Sequence, residues 1–188
     1  MNAANIAATA STRAATMSKP QSSCGIAQSM LEEFEQELEK TRTFLERVPQ
    51  DKLSWRPHEK SMSIGQLAYH IAEVPRGVLA MAMKKEASPP DMNNRPEPRS
   101  TQEVLDLLGQ SASFVRQTLS AVDDDQMLAT FRIVIGDRLL MSPRRDRFLR
   151  SIMLNHWYHH RGQLGVYLRL LGVSVPPSYG PSGDESPF

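Results

Sequence analysis

Apolar residues recur three or four positions apart in four long stretches of this chain, and this spacing constrains the fold more than any other feature. The stretches cover residues 27–48, 64–84, 101–122 and 143–171. Steps of three and four place side chains on one face of an α-helix. Amphipathic helices bury such faces against one another, so the sequence predicts an all-α protein with the architecture of a four-helix bundle.

Residues typical of helix ends support several of these boundaries. Ser63 with Gln66, and Ser100 with Glu103, match the capping box, in which each partner's side chain accepts from the other's backbone N–H. Ser142-Pro143 predicts the start of the last helix, with serine as the cap and proline at the first helical position.

Pro75 lies inside the second predicted helix. Proline has no N–H, so it cannot donate to the carbonyl four positions earlier, which belongs to Ile71. We therefore expect a kink in this helix near Ile71.

A different pattern occupies residues 128–141, between the third and fourth helices. Phe131, Ile133 and Ile135 alternate with other residues, and Gly136-Asp137 follows them. Such alternation is typical of a β-strand, and glycine at the first turn position favours a tight hairpin. The sequence therefore predicts that a small β-hairpin can form here and lie against the bundle.

The bulk composition narrows the class of partner. A formal net charge of +1 supplies no general field for a polyanion, so nucleic-acid binding is not expected. The cluster of Arg144, Arg145, Arg147 and Arg150 is typical of the solvated start of a helix. No stretch approaches the ~20 apolar residues that cross a bilayer, and the single cysteine, Cys24, permits no disulfide within the chain. These features predict a cytoplasmic protein with no membrane partner.

The first residues differ in composition from the rest. Residues 1–23 are rich in Ala, Ser and Thr and contain basic residues but no acid. A targeting leader, a disordered tail or a mis-assigned start would each fit this stretch. We predict a disordered leader over 1–25 and a bundle domain over 26–188, whose proline-rich end forms an irregular tail.

Three of the five histidines are predicted to face the interior of the bundle. At 100° per residue, His156 and His160 fall within about 20° of the centre of the apolar face of the last helix. His70 lies about 60° from the middle of the apolar face of the second helix, so it can approach the same interior. A lone buried histidine is usually hydrogen-bonded to a neighbour, but three that converge favour one shared divalent ion with an open position.

Other residues are predicted near these ligands. Gln163 lies on the inner face one turn after His160, where it can orient a ligand or hold a water. Tyr167 faces inward and can line a substrate pocket or pack in the core. His159 lies at the edge of the face, about 80° from its centre, and can supply a further ligand.

Three side chains have weaker assignments. Glu73 and Asp146 are candidates to accept from the ring N–H groups, although helical phase directs Glu73 away from His70. Trp157 flanks the apolar face of the last helix, and we expect it to pack in the core.

A resemblance to the DinB family of metal-binding four-helix bundles rests on two segments, SMSIGQLAYHIAEV and LNHWYHHRGQLGVYLRLLGVSVPPSYGPSGDE. The likeness runs from about residue 27 to residue 185 and is weakest at 86–100 and 127–141. It implies that His70, His156 and His160 bind a divalent ion, zinc or nickel. It also implies a small-molecule substrate and a homodimer. For some relatives it implies a transferase or isomerase reaction with a low-molecular-weight thiol.

The sequence leaves three functions open. Three neutral ligands leave an ion its full charge, which favours a metal-dependent enzyme, such as a thiol S-transferase or a hydrolase. The alternative is a non-catalytic metal- or small-ligand-binding protein, for example in a stress response, with the ion closed off by a further ligand. The third is an interaction module without a metal, which would lose little on His156→Ala.

Overall fold

The computed structural model describes residues 25–91 and 95–186. The predicted leader over 1–25 lies outside these residues apart from Gly25, which is the N-cap of the first helix. The first helices are α1, Ile26–Glu46; α2, Ile64–Ala82; α3, Thr101–Ala121; and a short α4, Asp124–Leu128. The last helix is composite: α5, Arg145–Phe148, leads through a π-helical segment, Leu149–Asn155, into α6, His156–Leu170. The predicted bundle of four long helices is confirmed.

Two of the three predicted helix caps are present, one of them only in part. Ser63 Oγ accepts from Gln66 N at 3.0 Å, and Gln66 Oε1 accepts from Ser63 N at 3.0 Å, which completes the capping box of α2. Ser100 Oγ accepts from Glu103 N at 3.0 Å. The Glu103 carboxylate, however, accepts from Arg99 N at 2.7 Å rather than from Ser100, so the reciprocal bond expected at α3 is displaced by one residue.

The start of the last helix differs from the prediction. Its N-cap is Arg144 rather than Ser142, and no side chain caps it. The residues just before it pair with an extended segment: Thr130 bridges to Arg144, and Phe131 N donates to the Pro143 carbonyl at 3.2 Å. Because this pairing holds Pro143 in extended structure, the helix begins only at Arg145.

Two of the four arginines of the basic cluster are exposed, as predicted, whereas Arg145 and Arg150 are bound to the bundle. Arg145 Nε donates to the Ala82 carbonyl at the end of α2, at 2.7 Å, and Arg145 Nη1 donates to the Gln126 carbonyl at 3.1 Å. Arg150 pairs with Glu33 of α1. These arginines therefore join the composite helix to the rest of the bundle.

A small sheet lies beside the bundle, and it contains the predicted hairpin. Its strands run in the order β1, Glu86–Ala87; β2, Arg132–Ile135; and β3, Arg138–Met141. Strands β2 and β3 are antiparallel, with Gly136 at a φ of 56° in the turn between them. No sequence pattern predicted β1, which pairs in parallel with β2 and is only two residues long.

Helix α2 continues unbroken through Pro75. The Ile71 carbonyl, which has no helical donor at Pro75, accepts instead from the Trp157 indole Nε1 at 2.9 Å. The next carbonyl, of Ala72, accepts from Ser111 Oγ of α3 at 2.6 Å. Side chains of two neighbouring helices thus bind α2 at the point where the proline interrupts its own bonding.

The chain after α6 turns at Gly172, whose φ is 72°, and lies along α6 and α1. Arg169 pairs with Asp184 at 2.7 Å, and Arg47 pairs with Glu185 at 2.9 Å, so ion pairs hold this tail against the helices. Within residues 25–91 and 95–186, no helix is both long and apolar enough to span a membrane.

Candidate metal centre

Three imidazole rings from two helices meet in the interior. His70 lies on α2, His156 is the first residue of α6, and His160 follows one turn later. The ring centroids are 5.2 Å apart for His70 and His156, 4.6 Å for His70 and His160, and 4.3 Å for His156 and His160. One ring nitrogen from each residue lies within 4.8 Å of the other two.

These separations suit a single ion. Ligand nitrogens at 2.0–2.1 Å from a tetrahedral zinc lie about 3.3 Å from one another. Nε2 of His156 and Nε2 of His160 are 2.7 Å apart, and the widest separation in the group is within 4.8 Å. Small rotations of half-buried side chains would therefore bring all three nitrogens to one coordination sphere.

The π-helical segment ends where the ligand pair begins. A π-helix bonds residues five apart, and such segments frequently lie at functional sites. The angles predicted from the sequence assumed 100° per residue along the whole last helix, so they do not apply across residues 149–155. His156 and His160 both lie in the regular α6, which preserves their one-turn relation.

Gln163 orients the ring of His160. His160 Nδ1–H donates to Gln163 Oε1 at 2.7 Å. In a neutral imidazole with its proton on Nδ1, Nε2 carries the lone pair, and this is the nitrogen that faces His156. The contact therefore places a metal-binding nitrogen toward the centre of the cluster.

His156 contains an unsatisfied buried atom. Its Nδ1 is buried and has no hydrogen-bond partner of normal geometry, although the Ile152 backbone favours the protonated ring. Buried polar atoms are nearly always bonded, so an unpartnered one in a native interior calls for an explanation. A metal on Nε2, the nitrogen that faces His160, would leave the ring proton on Nδ1 toward the Ile152 backbone, so the residues present fit an ion.

Burial keeps the cluster neutral. It lowers the pKa of His70 to about 4, helped by the charges of His156 and Arg95. Burial also lowers the pKa of His160 to about 4, against the opposing effect of its bond to Gln163. The pKa of His156 is likewise lowered, chiefly by burial. Neutral imidazoles are the form that metal ions require, so the site is ready for an ion near pH 7.

Acid should destabilise the metal-free protein through these histidines. The unfolded chain takes up protons on histidine below pH about 6.5, whereas folded His70 and His160 do so only near pH 4. The unfolded state binds more protons in this window, so the free energy of unfolding falls as the pH drops from about 6.5 to 4. Each ring should contribute about 1–2 kcal/mol after allowance for solvent screening.

Urea denaturation at several pH values, with metal removed, measures this effect. His70→Leu should lose stability less steeply than the wild type across the window. His58→Leu, at an exposed loop position, is the control for the replacement of a histidine by leucine. Parallel curves for the wild type and His70→Leu would contradict the assignment.

His159 lies next to the cluster, whereas Tyr167 packs against the loop before α2. His159 is exposed, with its ring centroid 5.1 Å from that of His160. The Tyr167 hydroxyl donates to the Met62 carbonyl at 3.4 Å, and its ring lies edge-on to Trp55. Neither His159 nor Tyr167 belongs to the group of potential ligands in the described part of the chain.

Neither acidic candidate is seen to bind a ligand histidine. Asp146 is held by Arg144 Nη2 at 2.6 Å, so its carboxylate serves the start of the composite helix instead of a ring N–H. Glu73 is half-buried, and burial raises the pKa of its carboxyl despite the nearby charge of Arg76.

A buried ion pair next to the ligands was not predicted from the sequence. Arg161 follows His160 directly, and its side chain is only 2% exposed. Its Nη2 donates to Glu37 Oε2 of α1 at 2.5 Å and to the Tyr179 hydroxyl of the tail at 2.7 Å. A signal was available: Glu37 sits next to Leu38 within the apolar pattern of α1, where an unpaired carboxylate is not expected.

The outer side of α6 carries a separate cavity of about 600 Å³. It lies between α6 and the tail, with Phe44, Tyr158, Arg161, Gly165 and Tyr179 among its lining residues. The three histidines do not line it, so it is not the opening of the candidate metal centre.

Converging histidines on facing helices of a four-helix bundle are an arrangement that could hold a metal ion in the bundle core. The model of the DinB family matches residues 17–186, and this chain belongs to that family. The chain is 26% identical over 156 residues to YrdA, an uncharacterized protein of Bacillus subtilis, covering 82% of this chain and 89% of that protein.

Two solved structures share the fold. The DinB-like protein YjoA of Bacillus subtilis superposes with a TM-score of 0.64 at 24% identity, covering 80% of this chain and 97% of that one. YfiT of Bacillus subtilis superposes with a TM-score of 0.58 at 17% identity, covering 84% and 95%. YfiT is described as a probable metal-dependent hydrolase with an unusual four-helix bundle topology.

Proposed function

We propose that this chain is a metal-dependent enzyme that transfers a low-molecular-weight thiol to a small electrophilic substrate. The ligand set carries the metal-dependent part of the proposal: in the described part of the chain, the group that can hold an ion consists of three imidazoles, with no carboxylate or thiolate. The thiol is what the resemblance to the DinB family implies for some relatives. Nitrogen donors of this kind suit zinc or nickel.

Neutral ligands matter because they do not reduce the charge of the ion. A divalent ion held this way supplies a Lewis-acidic charge that favours the deprotonated form of a thiol or of water. Gln163 holds the ring of His160 in the tautomer that binds. His159, whose ring lies beside that of His160, and Tyr167 remain predicted substrate contacts.

Hydrolysis is the second candidate, and the description of YfiT favours it. The same ligand set can favour hydroxide as readily as a thiolate, so the site alone does not choose the nucleophile. The two reactions differ in their products: S-transfer consumes one thiol for each leaving group released, whereas hydrolysis consumes water and leaves the thiol unchanged.

Elemental analysis of protein purified without an affinity tag tests the proposal first. We expect about one zinc or nickel ion per chain, removable by a chelator. Metal-loaded and metal-free protein are then incubated with a small thiol and an electrophile, and thiol loss is compared with leaving-group release. Wild-type protein that binds neither ion under any loading condition would exclude the metal-dependent enzyme.

Two further expectations from the sequence stay predictions. The homodimer can be measured by light scattering on the eluting protein, and the cytoplasmic location by fractionation of the source cells. Neither result bears on whether the three histidines bind an ion.

A further inference from the structure

A hydrogen bond joins the two ligand-bearing helices beside the cluster. Trp157 directly follows His156, and Ile71 directly follows His70. The Trp157 indole Nε1 donates to the Ile71 carbonyl at 2.9 Å. Both residues are 0% exposed, so water does not compete for this bond. It therefore connects the immediate neighbours of a ligand on α2 and a ligand on α6.

Pro75 makes the Ile71 carbonyl available for this bond. In an uninterrupted helix, the N–H of residue 75 would donate to the carbonyl of residue 71. Pro75 has no N–H, and a buried carbonyl without a donor is costly. Indole is a donor only, so it fits a lone acceptor. The indole N–H of Trp157 on α6 thus replaces the backbone N–H that Pro75 on α2 lacks.

The indole ring is also fixed on its other side. Phe34 of α1 stacks on it with ring centroids 5.1 Å apart and an interplanar angle of 18°. The ring therefore cannot turn away from Ile71 without losing this stacked contact. With its packing and its hydrogen bond both satisfied, Trp157 has one position, and that position sets where α6 lies along α2.

We propose that Trp157 is a positioning residue that fixes where His156 of α6 lies, along the helix axis, relative to His70 of α2. The inference rests on the proposed metal site, because its main consequence is metal affinity. A site that takes ligands from two helices needs those helices held in one relative position, and residues that orient ligands typically change affinity about 10–100-fold when they are mutated.

A double-mutant design separates positioning from stability. Trp157→Phe keeps an aromatic ring against Phe34 but removes the N–H, so both unfolding stability and zinc affinity should fall, the latter about 10–100-fold. Pro75→Ala restores an N–H that can donate to the Ile71 carbonyl within α2. In Pro75→Ala/Trp157→Phe, stability should therefore recover while zinc affinity stays low, because the bond between the helices is still missing.

Zinc titration against a competing chelator, and urea denaturation, are the measurements. Trp55→Phe is the matched control, since Trp55 is the other tryptophan of the chain and lies in the loop before α2. It should leave zinc affinity unchanged. If zinc affinity recovers together with stability in the double variant, Trp157 is merely structural and the inference fails.

Contacts between the two imidazole rings, measured by NMR in the metal-free protein, give a readout that needs no ion. The ring centroids of His70 and His156 are 5.2 Å apart, so the nuclear Overhauser effect between their ring protons should weaken in Trp157→Phe and in the double variant, and Trp55→Phe should leave it in place. An unchanged effect in the double variant would overturn the positioning role. If the wild type binds no zinc, the proposed function fails, and this effect still decides the present inference.

Discussion

Replacing His156 with alanine should abolish stoichiometric metal binding and leave the helical fold intact. Structural zinc sites bind with about 10–16 kcal/mol spread over a few ligands, so the loss of one should lower affinity more than about 100-fold. The folded state loses little, because the His156 ring is only half-buried and its Nδ1 makes no normal hydrogen bond.

His159→Ala is the matched control for this result. His159 is the same residue type on the same helix but is exposed and lies outside the ligand group. Elemental analysis should find about one ion per chain in His159→Ala and almost none in His156→Ala. In thermal unfolding, a zinc concentration 100 times the wild-type Kd should stabilise the wild type by about 2.7 kcal/mol and His156→Ala much less. Equal metal content in both variants would remove the basis of the proposed site.

The helices and the histidine cluster were predictable because their signals are local. Each apolar face repeats within one helix, and each histidine could be placed on its face by counting along that helix. His156 and His160 sit in the regular α6, where the count is valid. His70 needed only the added assumption that the faces of two packed helices meet.

Features set by tertiary contacts were not predictable in this way. Ser142-Pro143 is a good helix start by local propensity, but pairing of Phe131 with Pro143 delays the helix to Arg145. Strand β1 is two residues long and pairs with residues far along the chain, so it has no periodic pattern. The π-helical segment likewise has no residue signature.

The role of Trp157 lay between these cases. The sequence placed it beside the apolar face and identified the Ile71 carbonyl that Pro75 releases. What was missing was the step that connects them: a buried carbonyl without a donor requires one from a facing helix. That requirement is general, so a proline inside a buried helix is a reason to search for a donor elsewhere in the chain.

The Glu37 carboxylate is held by several donors. Arg161 Nη2, Lys40 Nζ and the Tyr179 hydroxyl donate to it at 2.5, 2.6 and 2.9 Å. Burial raises the pKa of Glu37, but these bonds together lower it below the usual value. The carboxylate is therefore charged in the folded protein, and Arg161 is its most buried partner.

Arg161→Met should consequently destabilise the fold by about 3–5 kcal/mol, because it leaves a buried carboxylate with too few donors. Glu37→Leu/Arg161→Met removes both charges and should recover most of that loss, since paired buried ions are often no more stable than apolar side chains of similar size. Urea denaturation of both variants and of Glu37→Leu gives the coupling energy between the two side chains.

Arg169→Met supplies the comparison with an exposed pair on the same helix. Arg169 is half exposed and bonds Asp184 of the tail, so its loss should cost about 0–1 kcal/mol. Both arginines pair with a carboxylate at 2.5–2.7 Å, so a larger loss of stability in Arg161→Met would be caused by burial. Equal losses of stability in Arg161→Met and Arg169→Met would show that the buried Arg161–Glu37 pair between α6 and α1 contributes no more than an exposed pair. Because Arg161 adjoins His160, Arg161→Met should also weaken zinc binding, whereas Arg169→Met should not.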